Sequence, residues 1–259
     1  MCGLTGYIYK IDKKIADTSR IINMLKVQKH RGPDDTGIMA FNLFSKALQE
    51  FSFENPEAIE SEFHGIFGFN RLSILDISKN GHQPMINKEK NVILMLNGEI
   101  YNAFDFKKEL ESFGYNFKST TDTEVILYLY IQYGLNGFLE RLNGMFTIAI
   151  ADLRIGKTFL IRDRFGIKPL YYIDNEDILA FSSEIKSFEF LEGFCFQLNE
   201  EKLDEFLIFR NTINDSLFRD VYVLNPGNYI EYSNQRGTII HNYFDVNSYQ
   251  RRPKTEDIE

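Results

Sequence analysis

Short apolar segments separated by glycine-bearing turns recur along most of this chain, and that texture constrains the fold more than any other feature. Strands are expected over 4–9, 38–44, 63–75, 92–96, 145–151, 158–162 and 178–182. Three helices stand out against them. Residues 18–29 set Ile21, Ile22 and Leu25 at helical spacing. Residues 103–112 follow an Asn102 cap and stop at Gly114. Residues 122–133 carry Thr121 and Glu124 in capping-box spacing, with Gly134 just past the end. Strands joined by tight turns with few helices favour an antiparallel α+β architecture over a doubly wound one. Near Leu198 the texture changes. An amphipathic helix is expected over 198–210, then a two-stranded pattern, 221–224 and 229–232, joined by the turn Asn225-Pro226-Gly227-Asn228.

Composition narrows the function classes. The 29 Lys+Arg against 37 Asp+Glu give a net charge of −8. That argues against a nucleic-acid binder or a polybasic membrane surface, because polyphosphate and anionic lipid would be repelled on average. Phe 24 and Tyr 14 with Trp 0 point to an aromatic-rich core. No apolar run approaches the ~18 residues of a membrane span, and no basic segment followed by an apolar stretch opens the chain. The two cysteines, Cys2 and Cys195, make neither a disulfide framework nor a metal knuckle, so a cytoplasmic, reduced protein is expected. His30, His64, His82 and His241 lack metal-ligand spacing, so no metal is expected. Cys195, between Phe194 and Phe196, reads as a buried apolar cysteine. Gly156-Lys157-Thr158 mimics the end of a phosphate loop, but Ala151 stands where the loop needs glycine.

Cys2 is the most informative residue. Removal of Met1 would leave a cysteine carrying a free α-amine, which ordinarily titrates at ~7.7–8.0 against ~8.5 for the thiol. Near neutral pH the amine can relay the thiol proton, so a base is supplied without histidine. The plain alternative is that position 2 merely begins a strand. Gly3 beside it would let a substrate approach the backbone closely.

Met1-Cys2-Gly3-Leu4-Thr5-Gly6 and His30-Arg31-Gly32-Pro33-Asp34-Asp35-Thr36-Gly37 resemble the class II glutamine amidotransferases, a branch of the N-terminal-nucleophile hydrolases. Further blocks narrow the resemblance to the asparagine synthetase type. They begin at Arg71-Leu72-Ser73-Ile74-Leu75-Asp76, Gly81-His82-Gln83-Pro84-Met85 and Leu96-Asn97-Gly98-Glu99-Ile100-Tyr101-Asn102. They continue through Thr121-Asp122-Thr123-Glu124, Leu142-Asn143-Gly144-Met145-Phe146 and Arg162-Asp163-Arg164-Phe165-Gly166-Ile167-Lys168-Pro169-Leu170-Tyr171-Tyr172. The resemblance implies a four-layer α/β/β/α sandwich of two antiparallel sheets.

It also implies a site. Cys2 is the nucleophile of glutamine hydrolysis. Arg71 offers the planar fork that pairs with an α-carboxylate, its alternative being a surface salt-bridge arginine. Asp122 faces the substrate α-ammonium with Glu99 as companion, although a carboxylate in a first helical turn is also an ordinary helix-start residue. The Asn97 amide and the Gly98 N–H donate to the oxyanion. Asn-Gly is equally the strongest short hairpin signal, and both readings can hold. Backbone groups of Leu72, Ile74 and Leu75 line the slot. The segment 30–37 orders the N-terminus.

Proteins of this type continue into a synthetase domain that uses ATP and Mg to adenylate aspartate. Its Ser-Gly-Gly-x-Asp-Ser loop occurs nowhere in this sequence. The expected organisation is an amidotransferase domain over 2–197, with 198–259 as linker and beginning of a synthetase domain that is otherwise absent. The chain then reads as a fragment, a split subunit or a chain cut before the ATP site. The glutaminase itself is expected to need no cofactor. Its partners would be L-glutamine and a synthetase domain or subunit as ammonia acceptor, with homo-oligomerisation left open. Two further readings stand beside this one: a glutamine-binding regulatory or partner domain without turnover, and an amidotransferase for a non-aspartate acceptor.

Overall fold

The computed structural model describes residues 1–10, 15–54, 63–212 and 215–246. Two antiparallel sheets lie face to face. The first contains β1 (Gly3–Tyr9), β2 (Asp35–Phe41), β3 (Leu48–Phe51), β4 (Gly65–Arg71), β9 (Tyr171–Asp174), β10 (Ile178–Ser182) and β11 (Tyr222–Val223), in the order β11-β9-β10-β1-β4-β2-β3. The second contains β5 (Met85–Ile86), β6 (Val92–Ile100), β7 (Gly144–Asp152), β8 (Lys157–Arg162), β12 (Asn228–Ser233) and β13 (Gly237–Asn242), in the order β13-β12-β8-β7-β6-β5. Helix α1 (Thr18–Val27) covers the outer face of the first sheet, and α3 (Asp122–Arg141), with the short α2 (Lys107–Ser112), covers the second.

Strand periodicity builds these layers. In β6, Ile93 and Met95 point between the sheets while Val92, Leu94 and Leu96 point toward α3. In β1, Leu4 and Ile8 face inward while Tyr7 and Tyr9 meet the α1 side. Strands buried on both faces read as unbroken apolar runs, which is why they were legible in the sequence. The many phenylalanines pack edge-on between the sheets: Phe67 lies 4.8 Å from Phe41 and 5.4 Å from Phe181, centroid to centroid.

Several expectations are corrected. The turn Asn225-Pro226-Gly227-Asn228 does not close a hairpin, because β11 pairs with β9 in one sheet and β12 with β8 and β13 in the other. The chain crosses between sheets there, held by Arg162 Nη1 donating to Leu224 O at 2.6 Å and Gly227 N–H donating to Asp163 O at 2.9 Å. Asn102 does not cap the following helical segment with its side chain; its amide bridges Arg141 O and Asn143 N–H at 2.8 and 2.9 Å. Beyond the kink at Gly134 (φ 65°) α3 resumes over 135–141. Cys195 is exposed, since Phe194 and Phe196 take the inward positions on either side of it. The amphipathic segment after Leu198 forms only a 3₁₀ turn and α4 (Leu203–Phe209). From 198 onward the described chain adds β11 to the first sheet and β12 and β13 to the second.

Candidate active site

Cys2 immediately precedes β1, which lies between β10 and β4 in the first sheet. Its position is fixed by polar contacts. Arg31 Nε donates to Cys2 O at 2.9 Å while Arg31 Nη1 and His30 Nε2 meet Glu184 at 3.2 and 2.9 Å. Leu4 N–H donates to Ser183 Oγ at 3.1 Å. The segment 30–37 therefore does order the N-terminus, through Arg31. The Cys2 sulfur accepts Leu72 N–H at 3.3 Å and donates to Leu72 O at 3.6 Å. Burial pushes its thiol up, opposed by Leu72 N–H and by the positive charges of the amino terminus, Arg71 and Arg31.

The opposite wall comes from the far end of β6. Asn97 and Gly98 are not in a hairpin turn; they register opposite Thr147 and Phe146 of β7. The apolar run of β6 simply continues through them, and tertiary pairing overrides the local Asn-Gly signal. Gly98 has φ 154°, and a Cβ there would lie 2.0 Å from Met145 O, so only glycine fits this close strand approach. The Asn97 amide is 1% exposed; Nδ2 donates to Ser183 Oγ at 3.4 Å while Oδ1 has no partner. A half-turn of that amide lets the Ser183 hydroxyl donate to Oδ1 and presents the NH₂ group where Oδ1 now stands unpaired.

Asp122 opens α3, where half of the expected capping box forms: Thr121 Oγ1 accepts Glu124 N–H at 3.2 Å, while Thr121 N–H donates to Ser119 Oγ at 3.3 Å instead of to Glu124. The Glu124 carboxylate reaches past the cap to Lys118 and Ser119 N–H, at 3.0 and 2.7 Å. Asp122 Oδ2 accepts Ile100 N–H at 2.9 Å, which ties the helix start to the end of β6. Burial raises the Asp122 carboxyl above its usual range; Ile100 N–H opposes the shift and the nearby Glu99 charge adds to it. A buried carboxyl with a second, half-buried acid beside it favours a bound cation.

Arg71 ends β4, and its guanidinium donates to Ser78 O at 3.0 Å and to Asp76 O. It is buried, so the surface salt-bridge reading is set aside. The loop it braces, 72–82, is anchored at both ends. Asp76 accepts Ser78 and Thr120 N–H at 2.8 and 2.9 Å, and the Ser78 hydroxyl first, then those N–H groups, hold its carboxyl down at about 2. At the other end, His82 Nδ1 meets Asp35 of β2 at 2.7 Å and Nε2 meets Glu50 of β3 at 3.3 Å.

The two carboxylates, Asp35 first, raise His82 to about 9 from an unfolded value of 6.5. A raised folded value means stability fully present below about pH 6.5 and lost as pH climbs through about 9. The group is 32% exposed, so screening reduces the worth of the clasp to about 1 kcal/mol. Denaturant midpoints should separate wild type from His82→Gln at pH 6 and converge above about pH 9.5. A gap that persists at high pH would remove the charge from the explanation.

All nine expected site residues, Cys2, Arg71, Leu72, Ile74, Leu75, Asn97, Gly98, Glu99 and Asp122, line one cavity of about 270 Å³. That is below the ~300–1,000 Å³ of drug-sized ligand pockets and suits a small metabolite. Met1 also lines it, as do Gln83, Thr121, Thr123 and Lys168, which sequence reasoning did not select. Gln83 carried a signal in its block: its Oε1 accepts Leu96 N–H at 2.7 Å and its Nε2 donates to Thr123 Oγ1 at 3.2 Å. Among the described residues no group of three or more His, Cys, Asp or Glu is placed to hold a metal ion. No helix among them is long and apolar enough to cross a membrane.

Two facing antiparallel sheets with helices outside, and a cysteine at the start of a central strand opening into a cavity, define an N-terminal-nucleophile type of amidotransferase fold. The chain belongs to the glutamine amidotransferase domain family, whose sequence profile matches residues 55–244. It is 37% identical over 240 residues to the glutamine-hydrolysing asparagine synthetase 2 of Bacillus subtilis, covering 89% of this chain and 29% of that protein. A putative glutamine-hydrolysing asparagine synthetase 1 of Methanocaldococcus jannaschii is 36% identical, covering 72% of this chain and 33% of that protein. The chain thus spans about a third of the length of these relatives. In fold it is similar to the glutamine phosphoribosylpyrophosphate amidotransferase of B. subtilis, at a TM-score of 0.68 and 20% identity, covering 94% of this chain and 49% of that one.

Proposed function

We propose that this chain hydrolyses the side-chain amide of L-glutamine to glutamate and ammonia through a Cys2 thioester. The observation that carries the reading is the convergence of a cysteine sulfur, a buried guanidinium, two acids and an amide-bearing strand end on one small cavity. Arg71 takes the α-carboxylate, and Glu99 with Asp122 takes the α-ammonium. The substrate carboxamide is thereby directed toward Cys2 and Asn97.

Removal of Met1, which is 58% exposed at the cavity, frees the Cys2 amine. That amine takes the thiol proton, and the sulfur attacks the amide carbon. Asn97 and Gly98 N–H receive the oxyanion. The ammonium returns the proton to the departing nitrogen, and ammonia leaves. Water, deprotonated by the same amine, then cleaves the thioester to glutamate. Each step uses the chain's own groups and water.

The ammonia would serve ATP-dependent amidation, aspartate to asparagine, on a synthetase domain or subunit in the cytoplasm that holds ATP and Mg. The names of the related asparagine synthetases support that acceptor. The test is glutamate release from glutamine by the purified chain, with and without added synthetase partner; no release in either case would refute the reading. Asp122→Asn keeps an oxygen for Ile100 N–H but loses the charge, so KM for glutamine should rise about tenfold or more with kcat changed far less.

A further inference from the structure

The cavity contains one charged side chain that the mechanism above leaves unused. Lys168 is 7% exposed and lines the cavity. Its backbone is clamped: the N–H donates to Asp163 Oδ2 at 3.0 Å, and the carbonyl accepts from Arg162 Nε at 2.8 Å. Asp163 Oδ2 also accepts Phe146 N–H at 3.3 Å, and Thr147 Oγ1 donates to Pro169 O at 3.3 Å. Phe146 and Thr147 are the register partners of Gly98 and Asn97. Lys168 therefore stands at the Asn97–Gly98 end of the cavity, where the reacting carbonyl belongs. The acids Glu99 and Asp122 are not its partners, for its ammonium makes no hydrogen bond or ion pair among the described residues.

A cation without an ion-pair partner on the wall of a small, partly enclosed cavity attracts an anion. Arg71 already serves an α-carboxylate in the proposed binding mode. The carboxamide of glutamine brings only a dipole to the other end. Hydrolysis creates full negative charge there, first on the tetrahedral oxyanion and finally on the γ-carboxylate of glutamate. We propose that Lys168 is the specificity-determining cation that binds the γ-carboxylate of glutamate, and the oxyanion preceding it, in preference to the neutral carboxamide of glutamine. The inference rests on the glutaminase reading. It adds that the site holds its product by a charge the substrate does not use, so glutamate is an inhibitor competing with glutamine.

The experiment is calorimetric titration of the full chain, in a Cys2→Ala background that cannot turn over, with L-glutamate and with L-glutamine. Adding Lys168→Met should weaken glutamate binding about 10- to 100-fold and glutamine binding less than about threefold, while Lys168→Arg keeps most of the glutamate affinity. Equal loss for both ligands, or an unchanged ratio, would overturn the assignment. Should Lys168→Met fail to fold, as judged by its melting curve, Lys168→Gln gives the same ratio with a polar stem. If the Cys2→Ala protein with Lys168 intact binds neither amino acid, the glutaminase reading itself falls, and this inference with it.

Discussion

Cys2→Ala should abolish glutamate release, lowering turnover by at least about a thousandfold, because no other group in the cavity can form the acyl intermediate. The two cavity hydroxyls are engaged elsewhere: Thr121 Oγ1 caps α3, and Thr123 Oγ1 accepts from Gln83 Nε2. The second cysteine, Cys195, is exposed and does not line the cavity. The fold should survive the change, since what pins the N-terminus is Arg31 on the Cys2 carbonyl and Ser183 on Leu4 N–H, neither of which involves sulfur. Melting temperature measured beside turnover checks that separation. Undiminished turnover in Cys2→Ala would end the assignment. The same proton relay predicts that protein with Met1 retained is inactive, because the peptide nitrogen of Cys2 is then no base. Mass spectrometry of active and inactive preparations tests this directly.

Strands and site were legible in the sequence for different reasons. The long central strands carry unbroken apolar runs because both faces are buried, and their assignments differ from the structure mainly at the ends. The strands that escaped notice are the edge strands β3 and β5, with four and two residues, β13, which carries polar residues along a half-exposed edge, and β9, an interior strand of only four residues. Edges bury too little to impose a pattern. The crossing at Pro226-Gly227 looked like a hairpin because turn chemistry is local, whereas the choice of sheet is made by distant partners, Leu160 for Ile230 and Tyr172 for Tyr222.

Expected and unexpected residues in the cavity divide along the same line. Cys2, Arg71, Asn97 and Asp122 belong to motifs whose chemistry can be reasoned from residue type. Lys168 carries no such mark. It is buried because Asp163 gathers the N–H groups of Phe146, Phe165, Ile167 and Lys168 and folds the segment back against β7. A gathering of that kind is visible only in three dimensions. The aromatic neighbours of Cys195 misled in the opposite sense: an apolar string suggested burial, and alternation along an extended segment turned the middle residue outward.

Asn97→Ala should lower kcat for glutamine about 100- to 1,000-fold with little change in KM, the ~2.7–4 kcal/mol carried by one oxyanion donor. The effect falls on kcat because the amide acts on charge that appears only after the sulfur attacks, while the two charged ends of the substrate are held elsewhere, at Arg71 and at Asp122 with Glu99. Local damage should be small: Asn97 makes one side-chain hydrogen bond, to Ser183 Oγ at 3.4 Å, and Ser183 keeps Leu4 N–H at 3.1 Å without it. Asn97→Asp is the sharper control, since it preserves shape and the contact to Ser183 but replaces the donor with an acceptor and a negative charge. It should therefore be at least as slow as Asn97→Ala, although it is the closer isostere. If instead Asn97→Asp retained wild-type kcat, the donor at this position would not be stabilising the oxyanion, and that work would fall to the Gly98 N–H and Lys168.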